Sequence, residues 1–133
     1  MASFMSANLG HELKGNFVTF KLDAKLRFEP KEVGHRWLFQ IEFMEEDPVS
    51  DDKLSPIRKS EAFGQADAHI KRHYFIPSKE EVELSFVEEF PAHLVDTEWG
   101  KEEVYAKVQA LPLEAPPGFV AAKTRTNITN VDV

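Results

Sequence analysis

His69 and His73 lie four residues apart, a spacing that could allow two histidines to bind one metal ion. On a helix this spacing places both imidazoles on one face, where they can hold a metal ion together. The surrounding alternation of residue types indicates a strand, along which four residues span about 13 Å. Two imidazoles that far apart cannot both lie about 2 Å from one ion. We therefore interpret them as surface histidines.

A short acidic segment supplies the candidate metal ligands of the sequence, which are Glu45, Glu46, Asp47, Asp51 and Asp52. Calcium prefers clustered carboxylate and carbonyl oxygens, but the segment lacks the Gly and Glu positions of an EF-hand loop. Asp96 and Glu98 are candidates for a second contribution, although in the expected strand order that loop lies at the opposite end of the domain. A solvated acidic loop that protects a sheet edge is the favoured interpretation, and we expect no metal and no cofactor.

Arrangements typical of catalysis are missing from the sequence. None of the serines lies in a Gly-x-Ser-x-Gly turn, and the six glycines are isolated, so no phosphate-binding loop is present. Neighbouring acids such as Glu80 and Glu81 point to opposite faces of a strand and cannot act as an acid–base pair. The sequence has no cysteine, which excludes disulfides, thiol catalysis and cysteine-bound zinc. These patterns predict a protein that is not an enzyme.

Two segments alternate strictly between apolar and polar residues, at 17–29 and at 36–44. Period two over this length predicts strands with one buried face. We expect the two strands to pair as a hairpin. The residues expected to face the core are Val18, Phe20, Phe28, Trp37, Phe39 and Phe43.

Weaker alternation predicts further strands at 57–63, 66–76, 81–86, 103–110 and 119–128, with a long connection over 88–100. About seven strands without a long helix indicate an all-β fold, a two-sheet antiparallel sandwich. Its arrangement resembles immunoglobulin and fibronectin domains, and a closed β-barrel is the alternative. We expect one domain over 15–133, preceded by a loose segment at 1–14.

Charge and hydropathy limit the partners. The net charge of −7 and the scattered basic residues argue against binding to nucleic acid or anionic lipid. No apolar run reaches the roughly 18 residues of a membrane span, and the N-terminus does not resemble a signal peptide. We expect a cytoplasmic protein, in which the sequon Asn127-Ile128-Thr129 stays without a glycan.

The remaining hypotheses concern binding. Trp99 lies in a polar segment, where a Trp either closes the end of a sandwich or contacts a partner. The favoured function is a non-catalytic module that binds a protein, including a second copy of itself. One alternative is a barrel that holds a small apolar ligand. The other is a sandwich that binds calcium or carbohydrate through the acidic loop at 45–52.

Overall fold

The alternating segments form strands in the structure, a computed structural model that describes residues 1–46, 52–53, 70–95, 102–114 and 119–132. Within these ranges the chain is nearly all β, with a four-residue helix α1 and one 3-10 turn at Pro30–Glu32. The strands are β1 Ser3–Lys14, β2 Phe17–Arg27, β3 Trp37–Glu45, β4 Asp52–Lys53, β5 Ile70–Phe75, β6 Glu81–Pro91, β7 Glu102–Pro112, β8 Ala122–Arg125 and β9 Thr129–Val131. Helix α1 spans Ala92–Val95 and follows β6 directly.

The strands form two antiparallel sheets. The first sheet has the order β1-β2-β6. In the second sheet β3 and β7 are central, and β4 and β5 pair with successive parts of the outer edge of β3. In the same way β8 and β9 pair with successive parts of the outer edge of β7. The two sheets pack as a sandwich, and the closed barrel considered above is wrong.

The core between the sheets is aromatic, because each alternating strand turns one row of side chains inward. The six residues expected to face the core are all confirmed, with exposures of 0–1%. Rings of the two sheets meet directly. The centroids of Phe20 and Phe43 lie 5.3 Å apart, and those of Phe39 and Phe86 lie 4.9 Å apart. Such pairs stabilise the sandwich by about 0.5–1.5 kcal/mol each beyond the area that they bury.

The expected hairpin of β2 and β3 is wrong. Strand β2 pairs with β1 and β6, whereas β3 lies in the other sheet. The connection contains Pro30 and Gly34. Gly34 has a φ of 87°, which few residues other than glycine adopt. The connection carries the chain from one sheet to the other. The two aromatic faces therefore lie opposite each other, where each shields the other from water.

The expectation of a loose segment at 1–14 is also wrong, since Ser3–Lys14 form β1. A tight turn joins β1 to β2, and Gly15 adopts a φ of 57° there, as a primed hairpin turn requires. A register shift between Phe4 and Ser6 interrupts the alternation of β1. This irregularity hides the strand from a search for period two.

Other boundaries differ from the sequence prediction. Strand β6 continues to Pro91, so the expected connection at 88–100 begins later. Of the strand expected at 119–128, only Ala122–Arg125 form a strand, β8, and β9 follows beyond the expected range at Thr129–Val131. The strand expected at 57–63 lies outside the described residues. Among the described residues, no helix is both long enough and apolar enough to span a membrane.

Candidate protein-binding surface

Exposed apolar side chains gather at one end of the outer face of the second sheet. The register aligns Tyr74 of β5, Leu38 of β3 and Leu111 of β7 in one row across the sheet. Ile76 and Leu113 extend the group just beyond the ends of β5 and β7. These five residues are called the apolar patch. Tyr74 is 75% exposed, Ile76 58% and Leu113 43%.

The apolar patch borders a groove of about 610 Å³, which is lined by Arg36, Tyr74, Phe75, Ile76 and Leu113. Phe75 forms its floor, because its side chain packs into the core. A concave apolar surface with a few polar groups at its rim is typical of binding sites. Tyr and Arg are also the residue types that interfaces favour.

The polar rim of the groove is held in place by Glu114. Arg36 Nε donates to Glu114 Oε1 at 2.9 Å, and His35 Nδ1 donates to Glu114 Oε2 at 2.8 Å. The hydrogen bond from His35, and then that from Arg36, lower the pKa of Glu114 below its ordinary value. A carboxylate that stays ionised keeps the guanidinium oriented beside the groove.

In the rows beyond the apolar patch, the same face carries four basic residues, and Glu42 lies opposite Lys107. The next row across the sheet contains Arg72 and Lys123, and the row after it contains Lys107 and Arg125. These four residues are called the basic strip. The guanidinium of Arg125 lies 3.8 Å from the centroid of the ring of Tyr105, a buried residue of β7.

The outer face of the first sheet is different in character. Its charged side chains pair across strands, as Arg27 with Glu81 at 2.8 Å and Lys25 with Glu83 at 3.9 Å. A shallow groove of about 260 Å³ lies among polar residues such as Asp23. This face lacks a comparable cluster of large apolar side chains among its described residues, although Val87 is 63% exposed.

Of the five carboxylates that the sequence groups at 45–52, the structure describes the side chains of Glu45 and Glu46. Glu45 is buried at the end of β3, and Glu46 faces Arg125 at 3.5 Å. The backbone of Asp52 pairs with Glu45 in β4. Asp47 and Asp51 lie outside the described residues. Within the described ranges no three His, Asp or Glu side chains are placed to hold a metal ion.

Asp96 and Glu98, the candidates for a second contribution to a calcium site, also lie outside the described residues. The same is true of Trp99 and of His69. His73 is described, and it is half-buried between the sheets: its Nε2 lies 2.7 Å from Glu88 Oε1, and its ring stacks on Phe86. The interpretation of His73 as a surface histidine therefore needs correction, because its inward position on β5 turns the ring towards β6.

The sequence analysis did not single out the apolar patch. A signal for it was present, since Tyr74 and Ile76 alternate with Phe75 and must face away from it on a strand. They lie beside Leu38, Leu111 and Leu113 because β3 pairs with β5 and β7. The alternation of residues in the sequence does not predict which strands pair.

No protein-family model and no curated protein matches the sequence. Among solved structures, a glycosyl hydrolase family 2 member from Bacteroides cellulosilyticus is similar, with a TM-score of 0.61 and 9% identity over 98% of this chain and 15% of that chain. A second structure of such a member from this organism, obtained from microfluidic crystals, has a TM-score of 0.61 and 9% identity over 93% and 14% of the two chains. The E. coli curli protein CsgC has a TM-score of 0.36 and 7% identity over 90% and 95%.

This chain therefore spans 15% of the length of the hydrolase chain that it matches. At 9% identity the likeness to the hydrolase structures shows a shared β-sandwich fold alone.

Proposed function

We propose that this chain is a non-catalytic β-sandwich module that binds another protein through the apolar patch. One observation carries the proposal: Tyr74, Ile76 and Leu113 stand exposed together around a groove. Solvent exposure of clustered large apolar groups costs solubility, so such a patch marks a site of interaction on many soluble proteins.

The order of the strands supports a further part of the proposal, an immunoglobulin- or fibronectin-like arrangement. With the strands lettered in the usual way, β1-β2-β6 corresponds to A-B-E, and β5-β3-β7-β8 corresponds to C′-C-F-G. Domains of this kind commonly serve recognition, an argument by analogy of fold alone. The lack of cysteine in the sequence supports a reducing compartment, and we propose the cytoplasm.

Photo-crosslinking tests the proposal in the cells that make the protein. A photoreactive amino acid placed at Ile76 should give a discrete crosslinked band. The matched control is the same amino acid at Val87, which is similarly exposed on the outer face of the other sheet. Leu113→Asp in the Ile76 background should remove the band, because it places a charge in the groove. Equal bands at both positions, or none at Ile76, would contradict the proposal.

Light scattering on the purified chain separates a foreign partner from a second copy. A dimer that Leu113→Asp converts to a monomer identifies self-association through the apolar patch. A monomer at every concentration, together with the Ile76 crosslink, identifies a different protein as the partner.

A further inference from the structure

We infer that the partner of the apolar patch is an acidic protein segment, with carboxylates beside its apolar anchor. The inference rests on the proposed function and adds the chemistry of the partner. It is carried by the basic strip, which lies on the same face of the second sheet as the apolar patch.

The register sets the distances between the two features. Neighbouring rows on one face of a sheet are about 7 Å apart along the strands. The row of Lys123 follows that of Leu111, and the row of Lys107 comes next. An extended segment that seats an apolar side chain on the apolar patch therefore reaches the two lysines about two and four residues further on.

The cations of this face differ in how far they are neutralised. Arg36 pairs with Glu114, and Arg125 faces Glu46. Lys107 and Lys123 are exposed, and among the described residues neither has a carboxylate within 4.0 Å. Lys107 lies opposite Glu42 in the register, but the four cations of the basic strip outnumber Glu42 and Glu46, so the strip favours carboxylates although the chain has a net charge of −7.

A nucleic acid would also seek cations, but the observations favour a protein. The basic strip has four cations, which is few for a phosphate backbone. The neighbouring groove is apolar and suits an aliphatic or aromatic side chain. Nucleic acid is therefore an outcome for the test to exclude.

Selection from a phage-displayed library of random peptides, with the whole chain as bait, tests the inference. Peptides that bind the wild-type chain and lose binding to Leu113→Asp should carry Asp or Glu about two and four positions from an apolar residue. In fluorescence anisotropy, the double variant Lys107→Glu, Lys123→Glu should bind the best peptide at least about tenfold more weakly than the wild-type chain does. Added salt should lower the affinity of the wild-type chain for the same peptide.

The matched control is Lys14→Glu with Lys21→Glu, two exposed lysines on the outer face of the first sheet. This control should leave the affinity within about twofold, since charges that far away are largely screened at physiological salt. Circular dichroism verifies that both double variants are folded.

The outcomes separate the two proposals. Peptides that need Leu113 but show no acidic preference, and that tolerate the reversal of both lysines, overturn the inference and leave the proposed function standing. Peptides whose binding is indifferent to Leu113→Asp count against the proposed function as well. Tighter binding of a labelled oligothymidylate than of any selected peptide would overturn the inference in favour of nucleic acid.

Discussion

At the scale of single residues, the side chain of Asn127 makes two hydrogen bonds to the backbone of β1, as a neighbouring strand would. Its Oδ1 accepts a hydrogen bond from Leu9 N at 2.8 Å, and its Nδ2 donates to Leu9 O at 3.0 Å. This pair of bonds copies a β-ladder at the place where β8 and β9 are interrupted. Nearby, His11 Nδ1 lies 2.6 Å from Thr129 Oγ1. The sequon Asn127-Ile128-Thr129 thus ties β1 to the edge of the second sheet.

Replacing Asn127 tests this tie. Asn127→Ala leaves the N–H and C=O of buried Leu9 without their partner, and we expect unfolding in urea to become easier by about 1–3 kcal/mol. Asn130→Ala, at the exposed position of β9, is the matched control and should change the free energy of unfolding by less than about 0.5 kcal/mol. Equal effects of the two variants would argue against a specific role for the Asn127 amide.

The rim residue Glu114 leads to a prediction about pH. Hydrogen bonds from His35 and Arg36 lower its pKa, so the folded state gains stability above the ordinary value of 4.5 and loses it as the pH falls through the lower folded-state pKa. Glu114→Gln should be less stable at neutral pH, and its stability should fall less steeply between about pH 5 and pH 3. Thermal unfolding across this range measures the difference.

Glu103→Gln serves as the control, because Glu103 is exposed and makes no ion pair with the described residues. If the stability of the wild-type chain and that of Glu114→Gln fall in parallel as the pH is lowered, Glu114 is not an acid-sensitive contact.

At the scale of elements, β5 and β6 close one side of the sandwich although they belong to different sheets. His73 of β5 bonds Glu88 of β6 at 2.7 Å, and Lys71 lies over the Phe90 ring at 5.3 Å. The side chain of Glu88 is mostly buried, so its contact with His73 is poorly screened by water. We conclude that this polar pair contributes to how the two sheets are aligned.

A double-mutant cycle measures the contribution of that pair. His73→Ala, Glu88→Ala and the double variant should yield a coupling of about 0.5–1.5 kcal/mol in urea unfolding. The same cycle on Arg27 and Glu81, an exposed pair within the first sheet, should yield less than about 0.5 kcal/mol. A larger coupling for the exposed pair would contradict the importance that we assign to burial.

How well each strand can be predicted from the sequence depends on how it packs in the fold. Strands β2 and β3 each bury one face in the core, so alternation reveals them and identifies their inward residues. Strand β1 escapes detection because its apolar residues are few and its register shifts near Phe4. Alternation also carries no information on which strands pair. The sequence therefore suggested a β2–β3 hairpin, whereas the packing of aromatic faces places these strands in opposite sheets.

At the scale of the whole molecule, three strands are paired along both edges by other described strands. These are β2 in the first sheet, and β3 and β7 in the second. Their inward side chains also supply much of the buried core. Because the opening of such a strand breaks two ladders and exposes the core, it requires nearly complete unfolding.

Native-state hydrogen exchange tests this order of stability. Hydrogen-bonded amides in the middle of β2, β3 and β7 should exchange about a hundredfold more slowly than those of β5, which has a described ladder on one side only. Comparable protection of β5 would show that another element covers its outer edge.

The candidate surface was less predictable than the fold for a physical reason. A buried face leaves a periodic signal in the sequence, whereas an exposed patch collects residues from separate strands that only the register brings together. Tyr74, Leu38 and Leu111 are far apart in the sequence and share one row in the sheet. Trp99, which the sequence offers either as a plug for the end of the sandwich or as a contact for a partner, lies outside the described residues.

The long-range ladder between β2 and β6 has a consequence for synthesis on the ribosome. Phe17 pairs with Pro91 and Arg27 with Glu81, so more than fifty residues must be translated after β2 before the first rung can form. At about 5–20 residues per second this interval lasts several seconds. Throughout it, Phe20 and Leu22 lack their neighbours on β6, which are Glu88 and Phe86. One edge of β2 therefore stays unpaired in the nascent chain, and unpaired strand edges make incomplete chains prone to aggregation.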